Sequence, residues 1–538
     1  MFVFFSVART DACGLQKTGI DSLASKHIKE SFFNKHLSVL AGEELQGRGT
    51  GQKGSALAAT YLYDFYSAPF FSEIPHSRLI KQPFDLDGLF WESVTYTLSS
   101  NSQGGDRIVF EKRLEPGGAK AFYPVSGGYE FQEGPIVFVG NYHPDSTSLE
   151  DSDLLEQSWI MTFCEIADSN SGAGILRSTL IRALTQRYMA NGVICMDETQ
   201  EESWLQNSVE VSRHIARPIS IREDGGRYRS IEPGEGSAVY VRPSVAKKIL
   251  NLQKEHPLDS LKRATQAAYP EIRETGFWLE SDPELVERTF TEKNIIYVID
   301  GAESQYHGEY IILSAHYDHL GLGTPDDHNT IIYFGADDNA SGTTVVMNVA
   351  SVVAEAARIG SRPDRTMVFL HTAAEEWGLF GARNFVKETL LNTDKQAVNI
   401  NVDMVGFRDS KYEESEKEYV YIIGAGLMST ALKKAVEYVN NAYVGLILDE
   451  KYNTTIDPYQ LYRRSDQWAF GEQDIPFVFF FSGLHDYYHT TRDTYDRLSI
   501  HSLVSRTRLI TLLAWKLAHV DELPEWDLNI FRLPDTED

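Results

Sequence analysis

From Thr289 onward, short continuous apolar runs alternate with stretches whose apolar residues recur every three or four positions. The pattern predicts strands over Ile295–Ile299, Tyr310–Ala315, Met367–His371, Val398–Val402, Val420–Ile423 and Phe477–Phe481. Between and after them it predicts helices over Ser341–Ala357, Phe380–Leu391, Leu427–Val439 and Ile500–His519. Strands without polar alternation, separated by helices, imply an α/β fold with a mostly parallel central sheet covered by helices on both faces. In such sheets, functional groups collect at the carboxyl edge.

Earlier in the chain the pattern differs. Ile28, Phe32, Phe33, Leu37 and Leu40 recur at helical spacing; Gln46–Gly51 breaks the helical pattern, which resumes over Ala56–Tyr66. Phe84–Phe110 alternates as strands, with a turn expected at Asn101–Gly105. From about Ala119 the character changes. Strands at Ile136–Val139, Trp159–Phe163 and Gly192–Met196, with a helix over Ile175–Met189, predict a smaller inserted α+β domain lacking an obvious acid–base group.

Length and charge narrow the reading. At 538 residues the chain exceeds one ordinary core. A formal charge of -27 argues against nucleic acid as a partner, because a polyanion is repelled by such a surface. No stretch is long and apolar enough to predict a transmembrane span. Of three cysteines, Cys164 and Cys195 lie in apolar surroundings and are expected as buried free thiols, with a disulfide between them as the alternative. The apolar start Met1–Ala8 reads as the stump of an export signal or as a frayed end, with Cys13 a weak lipidation position; an exported location is the expectation.

The chemistry lies where polar residues follow the predicted strands. Tyr310–Ala315 runs into His316, Tyr317, Asp318 and His319; Met367–Leu370 runs into His371 and then Glu375 and Glu376. Asn399–Val402 runs into Asp403, and Phe477–Phe481 leads to His485 and His489. Imidazole and carboxylate without thiolate suit zinc or a related divalent ion. Two such ions about 3.5–4 Å apart can polarise a carbonyl and hold a hydroxide, and they need an anion between them. The Gly-bounded turn Gly335–Gly342 offers Asp338 for that bridge, with its neighbour Asp337 pointing the other way.

Five ordered motifs resemble the M28 family of co-catalytic zinc metallopeptidases, aminopeptidases among them. They are His316–Gly321, Gly335–Gly342, Ala374–Gly381, Asn401–Met404 and Tyr488–Thr494, and Leu40–Gly51 is similar to the segment preceding the family's core. The resemblance implies two Zn2+ ions, one on His316, Asp403 and Asp338, the other on Glu376, His489 and the same Asp338. It implies Glu375 as general base, Asp318 as the acceptor that fixes the His316 tautomer, and Tyr488 as an oxyanion donor. The implied activity is removal of N-terminal residues from a peptide substrate through a metal-bridging hydroxide. A carboxypeptidase, a glutaminyl cyclase and an inactive receptor-like relative are the alternatives on this fold.

Gln467 departs from the family, where many relatives carry histidine after Ser-Asp. His319, His371 and His485 match no ligand position and are expected to be structural or substrate-facing; Asp493 and Asp496 are expected to cap the C-terminal helix. Gly134–Gly140 and Tyr188–Ile194 are similar to a protease-associated (PA) domain, which would restrict substrate entry. The expected organisation is an N-terminal segment 1–25, the first part of the peptidase domain 26–118, a PA-like insertion 119–255, the catalytic domain 256–525 and a tail 526–538.

Overall fold

The computed structural model describes residues 19–528 except 101–105, 112–121, 127–130, 143–151, 165–179, 182, 197–217, 219, 223–236, 254–257, 267–271, 324–329, 391–395, 414 and 458. The readings placed on Met1–Ala8, Cys13, Asn101–Gly105 and Ala119 lie outside these residues. The chain divides into two compact units. One comprises Met1–Asp85, Thr291–Gly321 and Ile332–Asp538; the other comprises Leu86–Phe290 and Leu322–Ile331.

In the first unit the strand order is Ile447–Asp449, Tyr419–Ile423, Phe477–Phe481, Gln396–Val402, Glu309–His316, Thr366–Thr372, then the end of the long strand Arg273–Ile299. The central four are mutually parallel, with Phe477 opposite Asn399, Gln396 opposite Glu309 and Thr366 opposite Tyr310. The flanks are antiparallel, with Ile299 opposite Met367 and Phe481 opposite Tyr421, so the sheet is mixed around a parallel centre. Continuous apolar runs form these central strands because both faces are covered. Ile312, Val368 and Leu370 pack with Phe385 and Phe470 from the helices Phe380–Phe385 and Gln467–Gly471. The opposite parity, Ile311, Leu313, Met367 and Phe369, is equally buried; the helices Gly342–Arg358 and Ile500–Ala518 pack on this part of the sheet, and Glu30–Leu40 packs on those two helices.

Two helix expectations shift for local reasons. Phe380–Phe385 continues as a wider π turn over Val386–Leu390. The helix expected over Leu427–Val439 is split at Ser429, whose hydroxyl accepts from the Leu432 N–H and starts a new helix, Thr430–Val439. The strand Arg273–Ile299 is far longer than the expected Ile295–Ile299, because its first two thirds carry charged, largely exposed side chains that mask any apolar run.

In the second unit, Gln132–Phe138, Trp159–Thr162, Gly192–Cys195 and Ser237–Val241 form a parallel run. Phe122–Ser126 and the start of Arg273–Ile299 close it antiparallel on either side. Val94–Leu98 pairs with Asp106–Phe110, as alternation over Phe84–Phe110 requires. Of the helix expected over Ile175–Met189, residues 180, 181 and 183–187 are described and helical, and it ends before Tyr188.

Cys164 and Cys195 form a disulfide, which corrects the expectation of free thiols. Both are buried as their apolar surroundings imply. The parallel register sets Thr162 opposite Cys195, so Cys164 emerges beside its partner, with Cα atoms 5.2 Å apart despite a separation of 31 residues. Replacing both cysteines by alanine is expected to lower stability by roughly 3–4 kcal/mol from chain entropy alone. Reductant should lower the parent's melting temperature and leave the double variant unmoved.

Candidate metal centre and active site

Parallel register brings the predicted residues to one edge. His316 closes its strand opposite Thr372, and Asp403 follows Val402, with its N–H donating to the Phe480 carbonyl at 3.2 Å. Glu375 and Glu376 lie on the turn after Thr372, where the Glu375 carbonyl accepts from the N–H groups of Gly378 (2.8 Å) and Leu379 (2.9 Å). His489 lies beyond Phe481 with a left-handed φ of 57°.

Asp338 sits in the turn Ala336–Ser341 that opens the helix Gly342–Arg358. Both bounding glycines are required. A Cβ on Gly335 would stand 2.2 Å from the Asp338 carbonyl oxygen, and one on Gly342 would stand 2.2 Å from the Val402 carbonyl oxygen. Asn339 staples the turn to the Asp403 strand, donating to the Val402 carbonyl at 2.9 Å and accepting from the Met404 N–H at 3.3 Å.

The Asp338 carboxylate divides between two imidazoles: Oδ1 lies 3.4 Å from His316 Nε2, and Oδ2 lies 3.1 Å from His489 Nε2. His316 Nε2 also lies 3.4 Å from Asp403 Oδ1, and His489 Nε2 lies 3.2 Å from Glu376 Oε2. Close as these atoms are, His316 Nε2, His489 Nε2 and Asp403 Oδ1 have no aligned hydrogen-bond partner. Buried polar atoms are ordinarily paired. Converging, misaligned lone pairs are what a shared cation requires, so the residues fit a metal pair.

Electrostatics agree. Burial opposes charge on His489, yet Glu376 and Asp338 hold its imidazolium up to about 10. Burial likewise opposes charge on His316, but Asp403 and Glu375 push it well above the ordinary histidine range. Burial also works against Glu376, which His489 and His319 nevertheless hold well below the usual carboxylate range. For Glu375, burial wins over His316, and with Glu376 and Asp403 it drives the carboxyl well up. The acids thus demand positive charge here, which protons supply in the metal-free protein.

Other residues refine the sequence reading. The His316 ring is oriented by the main-chain carbonyl of Asp318, 3.1 Å from Nδ1, while the Asp318 carboxylate lies 3.8 Å away. That carboxylate instead accepts from the Glu375 N–H at 3.1 Å and from Thr50 Oγ1 at 2.9 Å. Tyr488 stacks on His489, centroids 3.8 Å apart, and its hydroxyl accepts from Arg464 Nη2 at 3.3 Å. Gln467, fully buried, donates to the Leu461 and Tyr462 carbonyls and accepts from Asn401 Nδ2 at 2.7 Å, bracing the strand that ends in Asp403.

His371 is turned away from the edge and shares a 2.8 Å hydrogen bond between Nε2 and the Tyr66 hydroxyl. His319 is buried with Nδ1 2.8 Å from Glu376 Oε1. With Asp338 and Glu376 it forms one compact ligand trio, while His316, Glu375 and Asp403 form another. His319 spends Nδ1 in an aligned bond to Oε1, which leaves Oε2 for His489. Asp337 does point away from Asp338: its Oδ1 accepts from the Gly406 N–H at 2.6 Å, and its Oδ2 faces His485 Nε2 at 3.3 Å.

Asp493 and Asp496 do not cap the C-terminal helix, which corrects that expectation; Ser499 does, accepting from the Ser502 N–H. Asp493 reaches back to the Asp337–Asp338 turn. Sequence reasoning also gave no role to Arg48, which is wholly buried and donates to four carbonyls, those of Tyr317 (2.6 Å), Phe334 (2.8 Å), Gly335 (2.8 Å) and Leu40. It ties the Leu40–Gly51 segment to the loops that carry His316 and Asp338. Its position inside a Gly-rich motif was the available signal.

Residues 294–514 match the model of peptidase family M28. That segment of the chain is similar to this family. Among curated relatives, a probable aminopeptidase of Saccharomyces cerevisiae is 27% identical over 223 residues, covering 40% of this chain and 54% of that protein. Leucine aminopeptidase 1 of Ajellomyces dermatitidis is 25% identical over 221 residues, covering 39% and 53%. The chain thus spans about half the length of the curated relatives it matches. The solved structure of a peptidase M28 precursor from Shewanella amazonensis shares the fold, with a TM-score of 0.52 at 16% identity, covering 96% of this chain and 99% of that one. Among the described residues, no helix is long and apolar enough to cross a membrane.

Proposed function

We propose that this chain is a member of the M28 family and a co-catalytic di-zinc aminopeptidase acting on peptides. The observation that carries the reading is the division of Asp338 between His316 and His489, at 3.4 and 3.1 Å. His316, Asp403 and Asp338 would hold one ion, and Glu376, His489 and Asp338 the other. Two zinc ions, when bound, supply Lewis acidity toward a peptide carbonyl and an attacking water.

The chain's own groups do the rest. Glu375 takes the proton of the attacking water and returns it to the leaving amine. The Asp318 carboxylate, by accepting from the Glu375 N–H, fixes where that base stands. Burial pushes the Tyr488 phenol well above its ordinary range, so it keeps its proton and can donate to the developing oxyanion. The Arg464 guanidinium at its oxygen strengthens that donor.

Aminopeptidase names among the curated relatives support cleavage at the N-terminus. One observation favours a carboxypeptidase instead: the exposed Arg464 beside Tyr488 is a ready partner for a substrate carboxylate, and a probable glutamate carboxypeptidase of Arabidopsis thaliana is 27% identical over 209 residues. Aminoacyl-p-nitroanilides should be hydrolysed, lose turnover under a chelator and regain it with zinc. Turnover only of N-blocked peptides with free C-termini would reassign the enzyme as a carboxypeptidase, and turnover indifferent to chelation would sink the metal mechanism.

The Cys164–Cys195 disulfide supports an exported location, since such bonds persist in oxidising compartments. The parallel run of short buried strands from Gln132 to Val241 supports a PA-like identity for residues 119–255.

A further inference from the structure

The segment that carries His489 touches the Asp337–Asp338 turn at three points. In the middle, His489 Nε2 meets Asp338 Oδ2 at 3.1 Å. At the start, His485 lies flat on Phe407, ring centroids 4.0 Å apart, and presents Nε2 to Asp337 Oδ2 at 3.3 Å. At the end, the Asp493 carboxylate accepts from the N–H groups of Asp337 (2.9 and 3.1 Å) and Asp338 (3.1 Å), while its carbonyl accepts from the Ala336 N–H at 3.1 Å.

A neutral side chain could have served those N–H groups at lower cost. Asp493 is instead a fully buried carboxylate set directly behind the turn. An anion placed there at such cost suits a turn that must hold its shape against two cations. Ligands of this kind are oriented by the groups behind them, and removing such a group typically weakens metal binding roughly 10–100-fold.

We infer that His485 and Asp493 are positioning residues that clasp the Asp337–Asp338 turn to the His489 segment, keeping the two oxygens of Asp338 divided between the two metal positions. The inference rests on the metal-centre reading proposed above. Because one clasp serves both halves of the bridge, its loss would weaken both metal positions, although neither clasp residue is among the five side chains that would hold the ions.

The test is titration of the metal-free full chain with Co2+, followed by its visible d–d absorption. The parent should bind two equivalents. Asp493→Ala should bind both roughly 10–100-fold more weakly with an altered spectrum. Asp493→Asn, which keeps one acceptor for the turn, should fall between, and it carries the test if the alanine variant does not fold. His485→Gln should shift the spectrum in the same sense. Parent-like affinity and spectrum in Asp493→Asn and Asp493→Ala would overturn the clasp, even if their metal-free melting temperatures fell, because that is the signature of a merely structural role. A parent that binds no cobalt would overturn the metal-centre reading itself.

Discussion

Glu375→Gln should lower kcat by roughly 10²–10⁴-fold, about 3–5 kcal/mol of barrier, with KM near the parent value. The amide keeps the shape of the side chain and removes its proton acceptor. Its main chain is held independently, by the Asp318 carboxylate on its N–H and by Gly378 and Leu379 on its carbonyl, so the backbone should not move. The geometry also sets up a rival role. Glu375 Oε2 is 3.9 Å from His316 Nε2, and with Asp403 these two residues form a compact trio that could itself hold an ion. Metal analysis separates the two roles. A base leaves two ions per chain in the variant, whereas a ligand costs one of them. The acid limb of the kcat/KM profile adds a second readout, since it should vanish with the ionisable carboxyl if Glu375 is the base.

The candidate ligands were chosen from the family resemblance, and parallel pairing explains why most of them could be expected at one edge. Once Tyr310–Ala315, Met367–His371, Val398–Val402 and Phe477–Phe481 read as buried parallel strands, register alone delivers His316, Glu375, Glu376 and Asp403 to one edge. Asp338 was legible because its turn is fenced by two glycines that have no room for a side chain. What escaped was whatever depended on side-chain direction or distant pairing. His371 looked like a strand end, but the strand runs one residue further, to Thr372 opposite His316, so His371 lies on the other face and meets Tyr66. Asp493 lies near the start of a helix and so looked like a cap, but its partners are more than 150 residues away in the chain. Arg48 meets Tyr317 across 269 positions, and no local pattern announces that. Between free thiols and a disulfide the sequence reading chose wrongly, because apolar surroundings look alike for a buried thiol and a buried bridge.

Asp338→Asn should strip the chain of both ions together. At an effective dielectric of 20, two dications about 3.5–4 Å apart repel by on the order of 15–20 kcal/mol, so a bridging anion is a condition of their coexistence. The amide supplies one neutral acceptor where the carboxylate supplied two charged ones, facing His316 and His489 respectively. His316→Ala should differ, because Glu376, His489 and Asp338 remain intact around the second position. By the same logic His489→Ala should spare the position built on His316 and Asp403. Zinc stoichiometry after dialysis at fixed free zinc distinguishes these patterns: near zero for Asp338→Asn against near one for each histidine variant. Parent-level zinc in Asp338→Asn would refute the bridge, while loss of both ions in His489→Ala would mean that the second ion is needed to hold the first, with Asp338 as their common tether.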